Sequence, residues 1–219
     1  MYNVKNDCQI SGLNEILIQN IGFKKNGTFV EVGAFDGESI SNTCFLADIG
    51  WKGLYIEPVN DYYDLCVKRH LDNNVEVINS FIGNEEKNIQ MYVAGDISTG
   101  KKEIVDFFNS GLLGWANGRH KGVIQIAKQT TLNKLLAEKK FFEIDLLVID
   151  TEGNEWNVLQ DFDLQKFNVK MMIIEMHETS HIWKSCPNLI SDNEKINNKL
   201  VNSGYKKIFV DDTNTIFVK

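Results

Sequence analysis

The chain has 219 residues, 43% of them hydrophobic and only two of them proline, enough for one α/β domain with a substantial core and too apolar for disorder. Its net charge is −7 and its Lys-Lys pairs (24–25, 101–102, 139–140, 206–207) are dispersed, so the basic face of a nucleic-acid-binding protein is missing. No apolar run reaches the roughly 18 residues of a membrane helix, and MYNVKNDCQI at the start lacks the pattern of a secretory signal, so a soluble cytoplasmic protein is expected.

Strand-like and helix-like segments alternate, which predicts a largely parallel sheet covered on both faces. Residues 1–27 form a lead-in, helical in its apolar spacing over 10–20. TFVEVG (28–33) is a buried strand, 38–49 a helix, and GLYIEP (53–58) a second strand stopped by Pro58. Asn60 is placed to cap a helix over 61–71. VEVINSFIG (75–83) reads as a third strand and NIQMYVAG (88–95) as an antiparallel one. Residues 96–121 are glycine-rich and aperiodic, an insertion or lid of the kind that is commonly functional. GVIQIAKQT (122–130) is a strand, and Thr131 caps a helix through about Lys139. IDLLVID (144–150) is a buried strand, followed by a helix from about Asn154 and by the apolar strand VKMMIIEM (169–176). A helix over 190–203 ends at Gly204, and YKKIFV-DDTN-TIFVK is a terminal hairpin. The chain 1–219 is thus one domain of βα steps with an antiparallel finish. Cys8, Cys44, Cys66 and Cys186 lie far apart with no C-x-x-C spacing, which predicts reduced, partly buried thiols.

In doubly wound sheets ligands sit outside the carboxyl ends of the strands. The first strand delivers Glu31, Gly33, Ala34, Phe35, Asp36 and Gly37, an E-x-G-x-x-x-G turn rather than the G-x-G-x-x-G of dinucleotide binders. Its glycines allow close backbone approach, and a helix start beyond it would offer free N–H groups. Two carboxylates here would repel a pyrophosphate, but they suit a cofactor carrying an ammonium and a sulfonium. The second strand delivers Glu57, 24 residues after Gly33, near the spacing of an acid that binds ribose hydroxyls. Pro58 and Ser80 complete this candidate cofactor site. The glycine loop alone would be an ordinary strand–helix turn; together with Glu57 it reads as a site. The fourth core strand delivers Asp150 and Glu152, and the fifth Glu175 and His177. Taken singly, Asp150 reads as a helix cap and Glu152 as a partner of the helix dipole. Their convergence on the rim that holds Glu31 and Glu57 favours function.

FVEVGAFDGESISNT, LYIEP, TTLNKLL, IDLLVIDTEGNEWNVL and MMIIEMHE, in this order, resemble the FkbM family of methyltransferases over roughly residues 28–178, most specifically in D-x-E-G-x-E from Asp150 to Glu155. The resemblance implies a class I methyltransferase Rossmann-like fold with a mostly parallel seven-stranded sheet and an antiparallel C-terminal hairpin. It also implies S-adenosylmethionine as cofactor and O-methylation of a sugar or natural-product hydroxyl. By matching position, Glu31, Gly33 and Asp36 belong to the cofactor loop, Glu57 to the ribose site, and Asp150 and Glu152 to the active-site rim. Ala34-Phe35 replace a pair that is commonly more polar, and 96–121 matches nothing in the family.

Methyl transfer to a hydroxyl needs an oxygen about 3 Å from the methyl carbon and a base or metal to take the proton. Asp150, Glu152 and His177 are the candidate bases, histidine titrating nearest neutrality. Alternatively Asp150, Glu175 and a neighbouring oxygen ligand hold Mg²⁺, which favours hard carboxylates. The expected partner is a carbohydrate or small-molecule acceptor rather than nucleic acid or membrane. Competing readings are a domain that binds the cofactor without transferring methyl, and a zinc peptidase using His177-Glu178-x-x-His181 with Asp192 or Glu194 as third ligand. The peptidase signature needs a helix that puts both imidazoles on one face. Trp115 and Trp156 read as packing residues, and His70 and His120 as surface.

Overall fold

The computed structural model describes residues 8–183 and 186–219. In chain order it contains α1 (Leu13–Ile21), β1 (Thr28–Val32), α2 (Cys44–Asp48), β2 (Lys52–Ile56), α3 (Asn60–Arg69), β3 (Val75–Ile78), β4 (Phe81–Gly83), β5 (Lys87–Tyr92), α4 (Lys102–Phe108), β6 (Ile124–Thr131), α5 (Leu132–Lys139), β7 (Glu143–Ile149), α6 (Glu155–Leu159), β8 (Asn168–Glu175), α7 (Pro187–Asn202), β9 (Lys206–Val210) and β10 (Asn214–Val218). Seven strands form one sheet in the order β3-β2-β1-β7-β8-β10-β9. The first five are mutually parallel, and β10 runs antiparallel to both β8 and β9. Strand order reverses between β1 and β7, the switch point where such sheets open a crevice.

Alternate side chains of the central strands feed two cores. Val30, Val32, Leu147 and Ile149 pack with Leu135 and Leu136 of α5, Val158 and Leu159 of α6, and Ile196 and Leu200 of α7. Phe29, Leu146, Val148 and Ile173 pack on the other face with Leu13 and Leu17 of α1 and with Phe45 and Leu46 of α2. Burial on both faces is why these strands read as continuous apolar runs.

Several segments depart from the sequence reading. Residues 75–83 split between two sheets. After Ile78 the Asn79 amide donates to the Glu57 carbonyl, at 3.1 Å, and the chain leaves the main sheet for a three-stranded one ordered β4-β6-β5. Helix replaces only 44–48 of the expected 38–49. The Asp36 carboxylate captures the N–H groups of Glu38 and Ser39, and the Ser41 hydroxyl those of Thr43 and Cys44, so local side chains outcompete helical carbonyls. Asn60 is the first residue of α3 rather than its cap, and its N–H goes to Gln125 at 3.0 Å. Thr131 does cap α5, its hydroxyl accepting from Lys134 N. The 96–121 stretch contains α4, whose Ile104, Phe107 and Phe108 build a small core with Leu113, Ala116, Trp183 and Leu189. Trp115 is 59% exposed, not a packing residue, because it sits at the tip of that insertion. His70 and His120 are buried, not on the surface: His70 donates from Nε2 to the Gly37 carbonyl and stacks on Tyr55, and His120 stacks on Phe108. All four cysteines are free thiols. Among the described residues no helix is long and apolar enough to cross a membrane.

Gly53 of β2 crosses the Phe29 ring so closely that a Cβ would stand 2.2 Å from it. Gly53→Ala is therefore expected to cost on the order of 1–3 kcal/mol in denaturant unfolding. Adding Phe29→Leu should return part of that loss, and strict additivity of the two changes would contradict the assigned contact.

Candidate active site

A cavity of about 70 Å³, partly open to solvent, lies at the carboxyl ends of β1, β2 and β7. Glu31, Gly33, Ala34, Phe35, Glu57, Pro58, Ser80, Asp150 and Glu152 all line it. Asp36 and Gly37 do not. Asp36 spends its carboxylate on the turn at 38–39, and Gly37, with φ 75°, supplies the carbonyl held by His70. The free amides expected beyond the loop are also taken. Gly33 N and Ala34 N donate to the Ile56 carbonyl, Phe35 N to Glu57, and Gly37 N to the Ala34 carbonyl.

Gly33 has φ 88°, and a Cβ there would stand 1.7 Å from the Asp150 carbonyl oxygen. Only glycine lets the β1 turn pass β7 at that separation. Glu57 reaches back to hold this turn, accepting from Phe35 N at 2.9 Å and Val59 N at 2.8 Å. Burial pushes its pKa up from 4.5 to about 7 despite those two amides. Glu31, on β1, is also buried, and burial likewise raises it to about 7, against hydrogen bonds from Thr43 and Ser41. Neither Ser41 nor Thr43 is recognisable in the sequence, because no periodicity marks 38–43.

The β7–β8 register pairs Ile149 with Ile174, so Asp150 and Glu175 emerge side by side. Carboxylate oxygens of Asp150, Glu152 and Glu175 lie within 4.8 Å of one another. Burial and then the Glu175 charge raise the pKa values of Asp150 and Glu152 well above the usual range. Glu175 goes the other way: burial opposes its charge, but His177, joined by hydrogen bonds from Asp150 and the Glu152 backbone, outweighs burial and holds it low. His177 is raised in return, since Glu175 overcomes the burial that disfavours an imidazolium. The two lie 2.9 Å apart from Nε2 to Oε1, close enough for an ion pair though misaligned for a hydrogen bond. His177 Nδ1–H donates to the Asp212 carbonyl at 3.0 Å, and the ring lies flat on Trp183, 4.1 Å between centroids. His177 faces a second cavity with Trp183, Leu189 and Asn193, so it stands behind the acidic rim rather than in the cavity that Asp150 lines. Glu155, the last acid of D-x-E-G-x-E, is structural: its Oε1 accepts from Thr151 N, Thr151 Oγ1 and Gly153 N, fastening the 151–153 turn.

The zinc-peptidase geometry is absent from this stretch. Residues 178–182 form turns, not helix, and the Glu178 carboxylate is paired with Lys207 at 2.6 Å. The two imidazoles therefore share no helix face.

A family model described as the methyltransferase FkbM domain matches residues 31–207. The chain belongs to the FkbM methyltransferase domain family. No curated protein sequence matches this FkbM domain. Among solved structures, an O-methyltransferase from Bacillus cereus in complex with S-adenosylhomocysteine is 12% identical at a TM-score of 0.52, with 99% of this chain and 85% of that one covered. A human methyltransferase 10 domain-containing protein is 10% identical (TM-score 0.48; 93% and 77% covered). Aeropyrum pernix fibrillarin with bound S-adenosyl-L-methionine is 12% identical (TM-score 0.46; 97% and 76% covered). The Bacillus structure and the strand order together make the fold of this FkbM domain that of class I methyltransferases.

Glu31 has a folded-state pKa above its unfolded one, so the stability it contributes is complete below about pH 4.5 and is lost as pH rises through about 7. Glu31→Gln removes that loss. Thermal melts of the ligand-free protein should show the variant more stable at pH 8, by on the order of 3 kcal/mol, with the advantage gone near pH 4.5. A variant that gains nothing at pH 8 would show that Glu31 is ionised without strain.

Proposed function

We propose that the protein is an S-adenosylmethionine-dependent O-methyltransferase acting on a hydroxyl of a carbohydrate or related small molecule. One observation carries the cofactor assignment: a buried carboxylate, Glu57, stands in the cavity at the end of β2, beside a glycine turn that Gly33 brings against Asp150. Each Glu57 oxygen has one backbone donor and a second lone pair, so both can still accept from vicinal ribose hydroxyls. Ala34, Phe35, Pro58 and Ser80 then flank the nucleoside, while Glu31 and Asp150 attract the cationic methionine end. Asp36 and Gly37 contribute by shaping the loop. Calorimetry tests this reading. Micromolar binding of S-adenosylhomocysteine is expected, with no uptake of NADH, and Glu57→Ala should weaken it about tenfold or more. Absence of heat with S-adenosylmethionine and S-adenosylhomocysteine alike would overturn the reading.

Bound S-adenosylmethionine supplies an electrophilic methyl group; the chain supplies orientation and proton management. Asp150, on the cavity wall with a raised pKa, takes the proton from the acceptor hydroxyl, and Glu152 orients that hydroxyl. Glu175 and His177 form a fixed ion pair behind them, with the Asp212 carbonyl setting the imidazole tautomer. His177 thus acts through Glu175 rather than on the acceptor. The convergence of three carboxylates also favours a second reading, in which they hold Mg²⁺ and the ion acidifies the acceptor. A neutral polyhydroxylated acceptor suits this rim, because carboxylates accept hydrogen bonds from hydroxyls, whereas phosphates would be repelled.

Turnover should rise with pH as Asp150 loses its proton at its elevated pKa, and fall again once the Glu175–His177 pair is neutralised at higher pH. Asp150→Asn should cost about 10²–10⁴-fold in kcat and abolish the rising limb. His177→Ala should cost less and shift the falling limb instead. Chelator-sensitive turnover would select the Mg²⁺ reading, and near-normal kcat in both variants would remove these residues from the mechanism.

A further inference from the structure

The segment just before α1 reaches into this site through contacts that span most of the chain. Ile10 is 1% exposed in the core beneath α1, which pins the backbone on either side of it. Its N–H donates to Asn42 Oδ1 at 3.2 Å. A backbone N–H can only donate, so the orientation of the Asn42 amide is fixed, and its Nδ2 must point the other way. There it donates to Gln9 Oε1 at 3.0 Å. The Gln9 amide is fixed in turn, and its Nε2 is left facing Asp150 Oδ2 at 3.4 Å. Three successive bonds therefore have a single permitted polarity, running from Ile10 through Asn42 and Gln9 to Asp150.

Two members of this relay, on either side of Gln9, touch the cavity. Asn42 is 2% exposed and lines the cavity on the β1 side, and Asp150 lines it at the end of β7. Gln9 bridges them without being one of the lining residues. It also lies upstream of residues 31–207, the span that the family model matches.

We propose that Gln9 is a positioning residue: it turns the Asp150 carboxyl group toward the methyl-bearing sulfonium of S-adenosylmethionine. The proposal rests on the cofactor reading given above. A donor held against Oδ2 keeps the carboxyl group from swinging away, so an oxygen lone pair stays turned to the positive sulfur. The consequence is a selectivity between two ligands. S-adenosylmethionine carries a positive sulfur, whereas S-adenosylhomocysteine has a neutral one and is otherwise the same apart from the methyl group. Loss of Gln9 should therefore weaken the first far more than the second.

The test is calorimetric titration of both ligands into the full chain, its Gln9→Met and Gln9→Ala variants, Asp150→Asn, and the Gln9→Met/Asp150→Asn double variant. Gln9→Met keeps the side-chain length and removes only the amide, so it protects the comparison should Gln9→Ala disturb the segment. Each Gln9 variant is expected to raise the Kd for S-adenosylmethionine about three- to tenfold and that for S-adenosylhomocysteine less than about twofold. In the Asp150→Asn background Gln9→Met should add less than about twofold, because the group it acts through is already gone. Equal losses for both ligands, an undiminished effect in the double variant, or no effect on either ligand would each overturn the proposal. Wild-type protein that binds neither ligand would instead overturn the cofactor reading, and the role of Gln9 with it.

Discussion

At Gly33 the end of β1 passes the Asp150 carbonyl at a distance that excludes any side chain, and the architecture of the site depends on that crossing. Asp150 N–H donates back to the Val32 carbonyl, so the two strands are tied at the point where the β1 turn must leave the sheet. The turn departs with φ 88° and cannot continue straight. Glu57 then catches it through Phe35 N and, with its other oxygen, fixes the entrance to α3 through Val59 N. One carboxylate thereby organises the two walls of the cavity while keeping lone pairs for a ligand. Substituting it releases both walls at once.

The same geometry concentrates negative charge. Parallel strands all end on one edge, and here Glu31, Glu57, Asp150, Glu152 and Glu175 meet there within low-dielectric surroundings. Of the first four, each is pushed toward its protonated form, while Glu175 alone is held ionised by His177. Bringing ionised carboxylates this close costs folding stability unless a cation or a proton offsets them. A ligand carrying an ammonium and a sulfonium would lower that cost, whereas a pyrophosphate would add to it. The charge pattern thus argues for the cationic cofactor independently of the loop motif.

What could be read from the sequence was what depends on local period. Val30, Val32, Leu147 and Ile149 sit in short buried runs with β-branched residues, so their strands and the acids at the strand ends were visible. Glu57 was found because one strand, one turn and one helix set its distance from Gly33. The hydrogen bonds that hold Glu31 were not, since Ser41 and Thr43 lie in a stretch shaped by side-chain capture of backbone N–H groups. Nor was Gln9, which meets Asn42 and Asp150 across 33 and 141 residues of chain. His177 was correctly placed at a strand end but wrongly aimed. Its direction is set by the β9–β10 turn, whose Thr213 carbonyl takes the His177 N–H and whose Asp212 carbonyl takes the ring, and no pattern around residue 177 encodes that.

The 96–121 insertion follows the same logic of distant support. Gly111, Gly114, Gly118 and the exposed Leu112 and Trp115 belong to its second half, while its first half is anchored. Thr99 donates from its hydroxyl to the Glu152 carbonyl at 2.9 Å, and Ile104 fills the space beside Gly153 that a side chain there would need. Lys101 pairs with Asp192 of α7 at 3.3 Å. Phe107 and Phe108 pack on Trp183, which also stacks flat on His177. Glu152, held with φ 53°, and His177, with φ 48°, occupy backbone conformations that side chains other than glycine rarely adopt. Such strain persists only where surrounding contacts over-determine it. The anchored half of the insertion holds Glu152 directly and reaches His177 through Trp183, while the β9–β10 turn holds His177 from the other side, so a segment outside the repeating βα pattern helps fix the acidic rim where the sheet does not reach.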